Sequence, residues 1–186
     1  MGTLNYTATV SLDGYVADAN GDFDWSGPTE EVFDFHVARI QDVTTEILGR
    51  NTYTLMQYWQ TYDEPDGTDA EHEFARRWRD ITKVVASSTM TSEQLGASSD
   101  RLVSRLPLDD IRDVTASADG DVAIFGPTTA APAIRAGLID VFEFFTVPMI
   151  VGGGLRALPD DVRLALKLTD QRTFNNGLVY TRYERA

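Results

Sequence analysis

The sequence predicts an α/β fold: a central, mostly parallel sheet flanked by helices, with antiparallel strands at its C-terminal end. Three observations predict it. Strand-like and helix-like stretches alternate through residue 136, the pattern of parallel strands joined by crossover helices. Two of the strand-like stretches run into a glycine followed by helix-starting residues, at Gly49 and at Gly126. Beyond residue 140 the helical periodicity stops, and three strand-like stretches follow with no helix between them.

In order, residues 4–12 read as the first strand, because Leu4, Tyr6, Ala8 and Val10 alternate with Asn5, Thr7, Thr9 and Ser11. Asp13-Gly14 and Asn20-Gly21-Asp22 mark turns, and Asp24-Trp25 precedes Gly27-Pro28. Val32, Phe33, His36, Ile40 and Val43 recur at helical spacing, so residues 29–42 are expected to be amphipathic, with Glu30 and Glu31 near the positive end. A strand then enters Gly49, and the next helix is expected to carry Tyr53, Leu55, Met56 and Trp59. The acidic stretch 62–68, with Pro65 and Gly67, reads as an exposed loop, followed by a helix over 70–80. Strands are expected at 82–87, 101–103 and 121–125, with helices over 108–114 and from Gly126 to 136. Gly137 supplies the stop of that last helix. The late strands are 141–151, 165–174 and 178–183, and Asn175-Asn176-Gly177 is a strong hairpin turn between the last two.

Composition narrows the function. With 186 residues, 42% of them hydrophobic, the chain is expected to form a single folded domain over 1–186. It has no cysteine, which excludes disulfides, thiolate catalysis and Cys-ligated metal. No secretory signal or membrane span is visible, so a cytoplasmic location is the expectation. The formal net charge of −13 disfavours nucleic acid and anionic membranes as partners. Abundant acid with only two lysines, Lys83 and Lys167, resembles proteins of salt-loving organisms, an inference about habitat. Any site for an anionic cofactor in such a chain must gather arginines and helix N-termini.

Gly49-Arg50-Asn51-Thr52 has that chemistry. A glycine lets the backbone turn and approach a ligand, the first N–H groups of the helix face the same point, and Arg50 adds a permanent forked charge. Read by itself, the stretch is more economically a tight strand-to-helix turn with an exposed arginine. His36 and His72 pair with no visible nucleophile or metal set and read as structural.

Five motifs then coincide in order: Ser11-Leu12-Asp13-Gly14-Tyr15-Val16-Ala17, Asp24-Trp25, Leu48-Gly49-Arg50-Asn51-Thr52-Tyr53, Ala136-Gly137-Leu138-Ile139-Asp140 and Pro148-Met149-Ile150-Val151-Gly152-Gly153-Gly154. Together they resemble the dihydrofolate-reductase-like family that includes the reductase domain of riboflavin biosynthesis. The resemblance implies a stand-alone NADPH-dependent reductase of a small heterocyclic, pterin- or pyrimidine-like substrate. Gly49, Arg50 and Thr52 would sit on the cofactor phosphates, with Arg50 at the 2′-phosphate and Thr52 also capping its helix. Ser87 and Ser88 correspond to the adenosine side, and Gly126 to the turn at the pyrophosphate. Pro127 departs from the family there, standing where a second glycine would be and removing one N–H. Thr128 and Thr129 could supply hydroxyls instead. Gly152 and Gly153 match the loop beside the cofactor, although a flexible connection explains them nearly as well. Asp13 is the candidate for orienting a substrate or a water, with a turn-forming role as the alternative. Asp24, Trp25 and Phe33 are assigned to the substrate side, the first two as a lid. No metal is implied. Members of the family often pair through their late strands, which implies a homodimer. The competing reading is a nucleotide-binding or regulatory protein that keeps the fold without the catalysis.

Overall fold

The computed structural model describes residues 2–186; Met1, the first residue of the N-terminal stretch read above, lies outside them. Ten strands and five α-helices follow the expected alternation. They are β1 (Leu4–Ser11), β2 (Tyr15–Ala17), α1 (Glu30–Arg39), β3 (Val43–Gly49), α2 (Arg50–Met56), α3 (Asp69–Asp80), β4 (Thr82–Ala86) and β5 (Arg101–Val103). The chain continues through α4 (Leu108–Ser117), β6 (Asp121–Phe125), α5 (Pro127–Arg135), β7 (Val141–Val147), β8 (Leu155–Arg156), β9 (Leu166–Thr173) and β10 (Val179–Arg185). Eight strands form one sheet in the order β5-β4-β3-β6-β1-β7-β10-β9. The first six are mutually parallel, and β10 runs antiparallel between β7 and β9.

The late strands depart from the expectation in one respect. The stretch expected over 141–151 is not an antiparallel addition: β7 lies parallel to β1, from Asn5 opposite Val141 to Ser11 opposite Val147. The reason is that α5 precedes it, so β6–α5–β7 is itself a crossover unit. The strand stops at Val147, just before Pro148, which has no N–H for a ladder. The expected hairpin between β9 and β10 is present, with Gly177 at φ +83° donating to the Phe174 carbonyl.

Alternation along the strands separates two cores. On one face, Leu4, Tyr6, Ile47, Val122, Ile124 and Phe142 pack against Ile111 of α4 and Ala130, Ala133 and Ile134 of α5. On the other, Ala123 and Phe125 meet Phe74 and Trp78 of α3, while Phe145, Phe174 and Tyr180 meet Val32 and Phe35 of α1. His36 stacks on Phe145, with ring centroids 4.2 Å apart, and burial together with the Arg39 charge pushes it down to about 3. The histidine is therefore neutral and structural at ordinary pH.

Two buried polar clusters sit on the α1/α3 face. Glu143 accepts from Arg39 at 2.6 Å, Thr7 at 2.9 Å and Tyr180 at 2.7 Å, tying the end of α1 to three strands. Glu46 accepts from the Trp78 indole at 3.0 Å, and its register neighbour Lys83 lies over the same indole and donates to the Trp78 carbonyl. Burial pushes Glu46 up to about 7, against the opposing pull of the Lys83 charge and the indole N–H. A carboxyl raised in the fold stabilises it fully below its ordinary pKa, and that stability is lost as pH rises through the raised value. We therefore expect Glu46→Gln, which keeps an acceptor for Trp78, to flatten the decline of stability between pH 5 and pH 8. The difference is on the order of 1–3 kcal/mol, read by urea denaturation at each pH. Parallel curves for the two proteins would contradict it.

Candidate functional site

Six parallel strands place six carboxyl ends on one edge of the sheet, and at one point along that edge the connections diverge. From β3 the chain leaves through α2 and α3 toward β4, whereas from β6 it leaves through α5 in the opposite direction, over β1 to β7. The crevice between adjacent strands whose connections part in this way is the general ligand position of open α/β sheets. Gly49 ends β3 and Gly126 follows β6, with Leu48 opposite Phe125 in register. Both glycines are therefore at the switch point.

The two turns touch. A Cβ on Gly49 would lie 2.6 Å from Thr129 Oγ1, and a Cβ on Gly126 would lie 3.3 Å from Thr52 Oγ1. Gly126 also has φ +85° and ψ +125°, a conformation essentially restricted to glycine. Gly49, Thr52, Gly126 and Thr129 thus form one small cluster, assembled from segments more than 70 residues apart.

The helix starts differ from the expectation in detail. Thr52 does not cap α2: Gly49 is the N-cap, no side chain bonds there, and Thr52 lies within the first turn. Its hydroxyl faces Gly126 instead. The helix ends at Met56, and Trp59 belongs to a 3₁₀ turn over Gln57–Gln60. Pro127 is the first residue of α5, where its missing N–H would have had no partner within the helix anyway. The first intrahelical bond runs from Ala130 to Gly126, so the Thr128 and Thr129 amides have no carbonyl four residues back within α5.

Arg50 is exposed, and among the described residues it is in no ion pair. It donates to Thr89 Oγ1 at 2.9 Å, which carries it across the tip of β4. Ser87, half-buried just past β4, accepts from the Thr89 and Met90 amides and shapes that turn, while Ser88 stands exposed within it. Thr89 is a site-edge residue the sequence reading missed; the hydroxyl run Ser87-Ser88-Thr89 was the only pointer to it.

At β1 and β7 the edge is built around Asp13. Its carboxylate accepts from Ser11 Oγ at 2.7 Å, the Gly152 amide at 2.8 Å and the Val151 amide at 3.2 Å. The Ser11 hydroxyl, then those two amides, hold it below the usual carboxylate range despite some desolvation. The group is an ionised anchor for the 151–153 loop. Gly152 and Gly153 meet open space, whereas Gly154 has no room for a Cβ, which would fall 2.1 Å from the Ala17 carbonyl where β8 pairs with β2. This β2–β8 ribbon was not anticipated, because each member is only two or three residues long.

The residues expected on the substrate side are not all together. Asp24 and Trp25 lie in a 3₁₀ turn, Asp24 exposed and Trp25 half-buried, with the Trp25 indole donating to the Asp22 carbonyl. Phe33 packs against both Trp59 and Phe74, at 5.5 and 5.3 Å. Among the acids of the first α1 turns, Glu31 bonds Arg172 and the Asn175 amide, whereas Glu30 and Asp34 are exposed. Among the described residues no cluster of His, Asp or Glu could hold a metal, and no helix is long and apolar enough to cross a membrane.

The RibD C-terminal domain family matches residues 2–180, nearly the whole chain. The chain belongs to that family. It is 28% identical over 180 residues to the uncharacterized protein YyaP of Bacillus subtilis (strain 168), covering 94% of this chain and 90% of that one. Its fold is similar to the crystal structure of a proposed riboflavin biosynthesis protein from Shewanella sp. PV-4, with TM-score 0.77, 26% identity and 99% of each chain covered. It is also similar to dihydrofolate reductase from Enterococcus faecalis complexed with NADP(H), with TM-score 0.63, 15% identity and 99% and 96% coverage. The RibD C-terminal domain chain thus has the dihydrofolate-reductase-like fold expected from its motifs.

The contact between the turns gives a direct test. Gly126→Ala forces an L side chain into a glycine-only conformation, a cost of about 1–3 kcal/mol. We expect that loss in chemical denaturation, whereas Gly153→Ala, facing open space, should change stability by less than about 0.5 kcal/mol. Equal costs at the two positions would contradict the assigned geometry.

Proposed function

We propose that this chain is an NADPH-dependent reductase acting on a small heterocyclic substrate of pterin or pyrimidine type. The observation that carries the reading is the meeting of Gly49 and Gly126 at the switch point of the sheet, with two threonine hydroxyls between them and, alongside, an arginine that is in no ion pair among the described residues. Membership of the RibD C-terminal domain family, and the likeness to a dihydrofolate reductase complexed with NADP(H), support it.

The residues present fit a phosphorylated dinucleotide. The missing Cβ atoms let the Thr129 and Thr52 hydroxyls sit against the two turns, and those hydroxyls with the Thr128 and Thr129 amides can donate to phosphate oxygens. Arg50 presents a planar fork suited to the 2′-phosphate, with Ser87 and Ser88 beside the adenosine. Gly152 and Gly153 border the other end of the edge, and Asp13 positions them. Four strand spacings separate β4 from β7, about 19 Å, a span suited to an extended dinucleotide. Bound there, the nicotinamide supplies a hydride to a polarised C=N or C=O bond. The chain's own share is to hold that ring and the substrate in register and keep water out. On this reading Phe33 borders the substrate, and Asp24 and Trp25 belong to the turn that would cover it.

One observation favours the second reading, a nucleotide-binding protein without catalysis. Asp13 is held ionised by three hydrogen bonds and is poorly suited to donate a proton. Turnover separates the two readings: loss of NADPH absorbance with a pterin or ribosylamino-pyrimidine substrate is expected of the enzyme and not of the binder.

The cofactor assignment has its own test. NADPH should raise the melting temperature more than NADH, since a ligand that binds the native state stabilises it. Arg50→Ala should weaken NADPH about 10- to 100-fold and abolish the difference between the two cofactors. Unchanged discrimination in that variant would remove Arg50 from the 2′-phosphate.

A further inference from the structure

One side of α2 is fastened to residues 87–100, the connection between β4 and β5. Arg50, Tyr53 and Gln57 fall at the spacing that brings side chains onto one face of a helix, and each of them reaches that connection. Arg50 Nη1 donates to Thr89 Oγ1 at 2.9 Å, the Tyr53 hydroxyl to Asp100 Oδ2 at 2.6 Å, and Gln57 Nε2 to the Gln94 carbonyl at 2.8 Å. The Tyr53 hydroxyl also accepts from the Gly96 amide at 2.7 Å, so one oxygen holds both the middle and the end of the connection.

The three rungs differ in depth. Tyr53 is fully buried and Asp100 nearly so, whereas Arg50 and Thr89 are exposed. The Tyr53 ring shares a cluster with Leu48 and Val85 of the strands and with Met90 and Leu95 of the connection. Burial, then the bond to Asp100, pushes the phenol up to about 12, so it keeps the proton it donates. Asp100 Oδ1 accepts no hydrogen bond among the described residues, which leaves that carboxylate dependent on Tyr53.

An exposed bond such as that from Arg50 to Thr89 contributes little by itself. It orients the arginine only if Thr89 is itself held. On the upstream side Ser87 Oγ accepts from the Thr89 and Met90 amides just past β4. On the downstream side Met90, Leu95 and Gly96 rest on Tyr53. A guanidinium already oriented gives up less freedom when a ligand arrives.

We propose that Tyr53, backed by Gln57, is a positioning residue. It docks the 87–100 connection on α2, fixes Thr89 and through it the stance of Arg50, and so sets the preference for a dinucleotide carrying a 2′-phosphate. The effect on the cofactor rests on the reading given under Proposed function; the stance of Arg50 does not.

Tyr53→Phe keeps the ring in its cluster and removes only the hydroxyl. In the unliganded protein it is expected to speed hydrogen exchange at the Gly96 amide and to shift the Thr89 amide and Arg50 Nε–H resonances. It should weaken NADPH about 3- to 10-fold and leave NADH within about 2-fold, so the ratio of the two affinities falls. Thr89→Ala should lower that ratio to the same degree. The double variant should be no worse than either alone, because both changes act along one path. A tyrosine that only stabilised the fold would lower the melting temperature and leave the ratio and the Arg50 resonance in place, and that result would overturn the proposal. Additive losses in the double variant would do the same. If Tyr53→Phe does not fold, Gln57→Ala removes the neighbouring rung, and an unchanged ratio with an unshifted Thr89 amide would then count against the proposal. Equal binding of NADPH and NADH by the unaltered protein would remove the 2′-phosphate reading, and the Arg50 and Thr89 resonances would decide the positioning by themselves.

Discussion

The close approach of two strand-to-helix turns governs the rest of this structure. Gly49 and Gly126 can stand side by side only because neither carries a Cβ: one would strike Thr129 Oγ1 at 2.6 Å, and the other would crowd Thr52 and require a forbidden φ. That approach follows from strand order. β6 is inserted between β3 and β1, so its tip neighbours the tip of β3 while their helices depart in opposite directions. The crevice left between the helices is lined by backbone and hydroxyls, surroundings that stabilise phosphate oxygens. In a chain with a net charge of −13, Arg50 begins the helix beside that crevice and, among the described residues, is in no ion pair.

Polar contacts at the two ends of α1 support the same arrangement, one set buried and one at the surface. Glu143 gathers Arg39, Thr7 and Tyr180, joining the end of α1 to β1, β7 and β10. Glu31 bonds Arg172 and the Asn175 amide, fixing the start of α1 to the β9–β10 hairpin. With both ends held, α1 presents Phe33 to Trp59 and Phe74 in one orientation. The Phe33–Trp59–Phe74 cluster is thus joined in sequence to the strand-tip crevice through α2 and the turn that follows it.

Much of this was legible in the sequence because the signals are local. Alternating residues gave β1, helical spacing gave α1 with its 3₁₀ extension, and the glycine-led turns gave the edge on which the candidate site lies. The capping box Thr68-Asp69-Ala70-Glu71 was also written there, and it starts α3 one residue earlier than periodicity suggests. What was not legible depends on distant partners. Asp13 looks like any turn aspartate until its carboxylate is found on amides 138 and 139 residues away. Thr52 resembles a cap, yet Gly49 takes that position and the hydroxyl turns toward Gly126. β7 reads as one more late strand, and only its place after α5 makes it parallel.

The most direct measurement of the central claim is an amide ¹H–¹⁵N chemical-shift titration with NADPH, mapped along the chain. The account predicts that the largest shifts fall on residues 49–52 and on Gly126, Thr128 and Thr129, the two turns that meet between β3 and β6. Shifts concentrated at the opposite edge of the sheet, around Thr45, Thr82 and Asp121 at the strand starts, would contradict it.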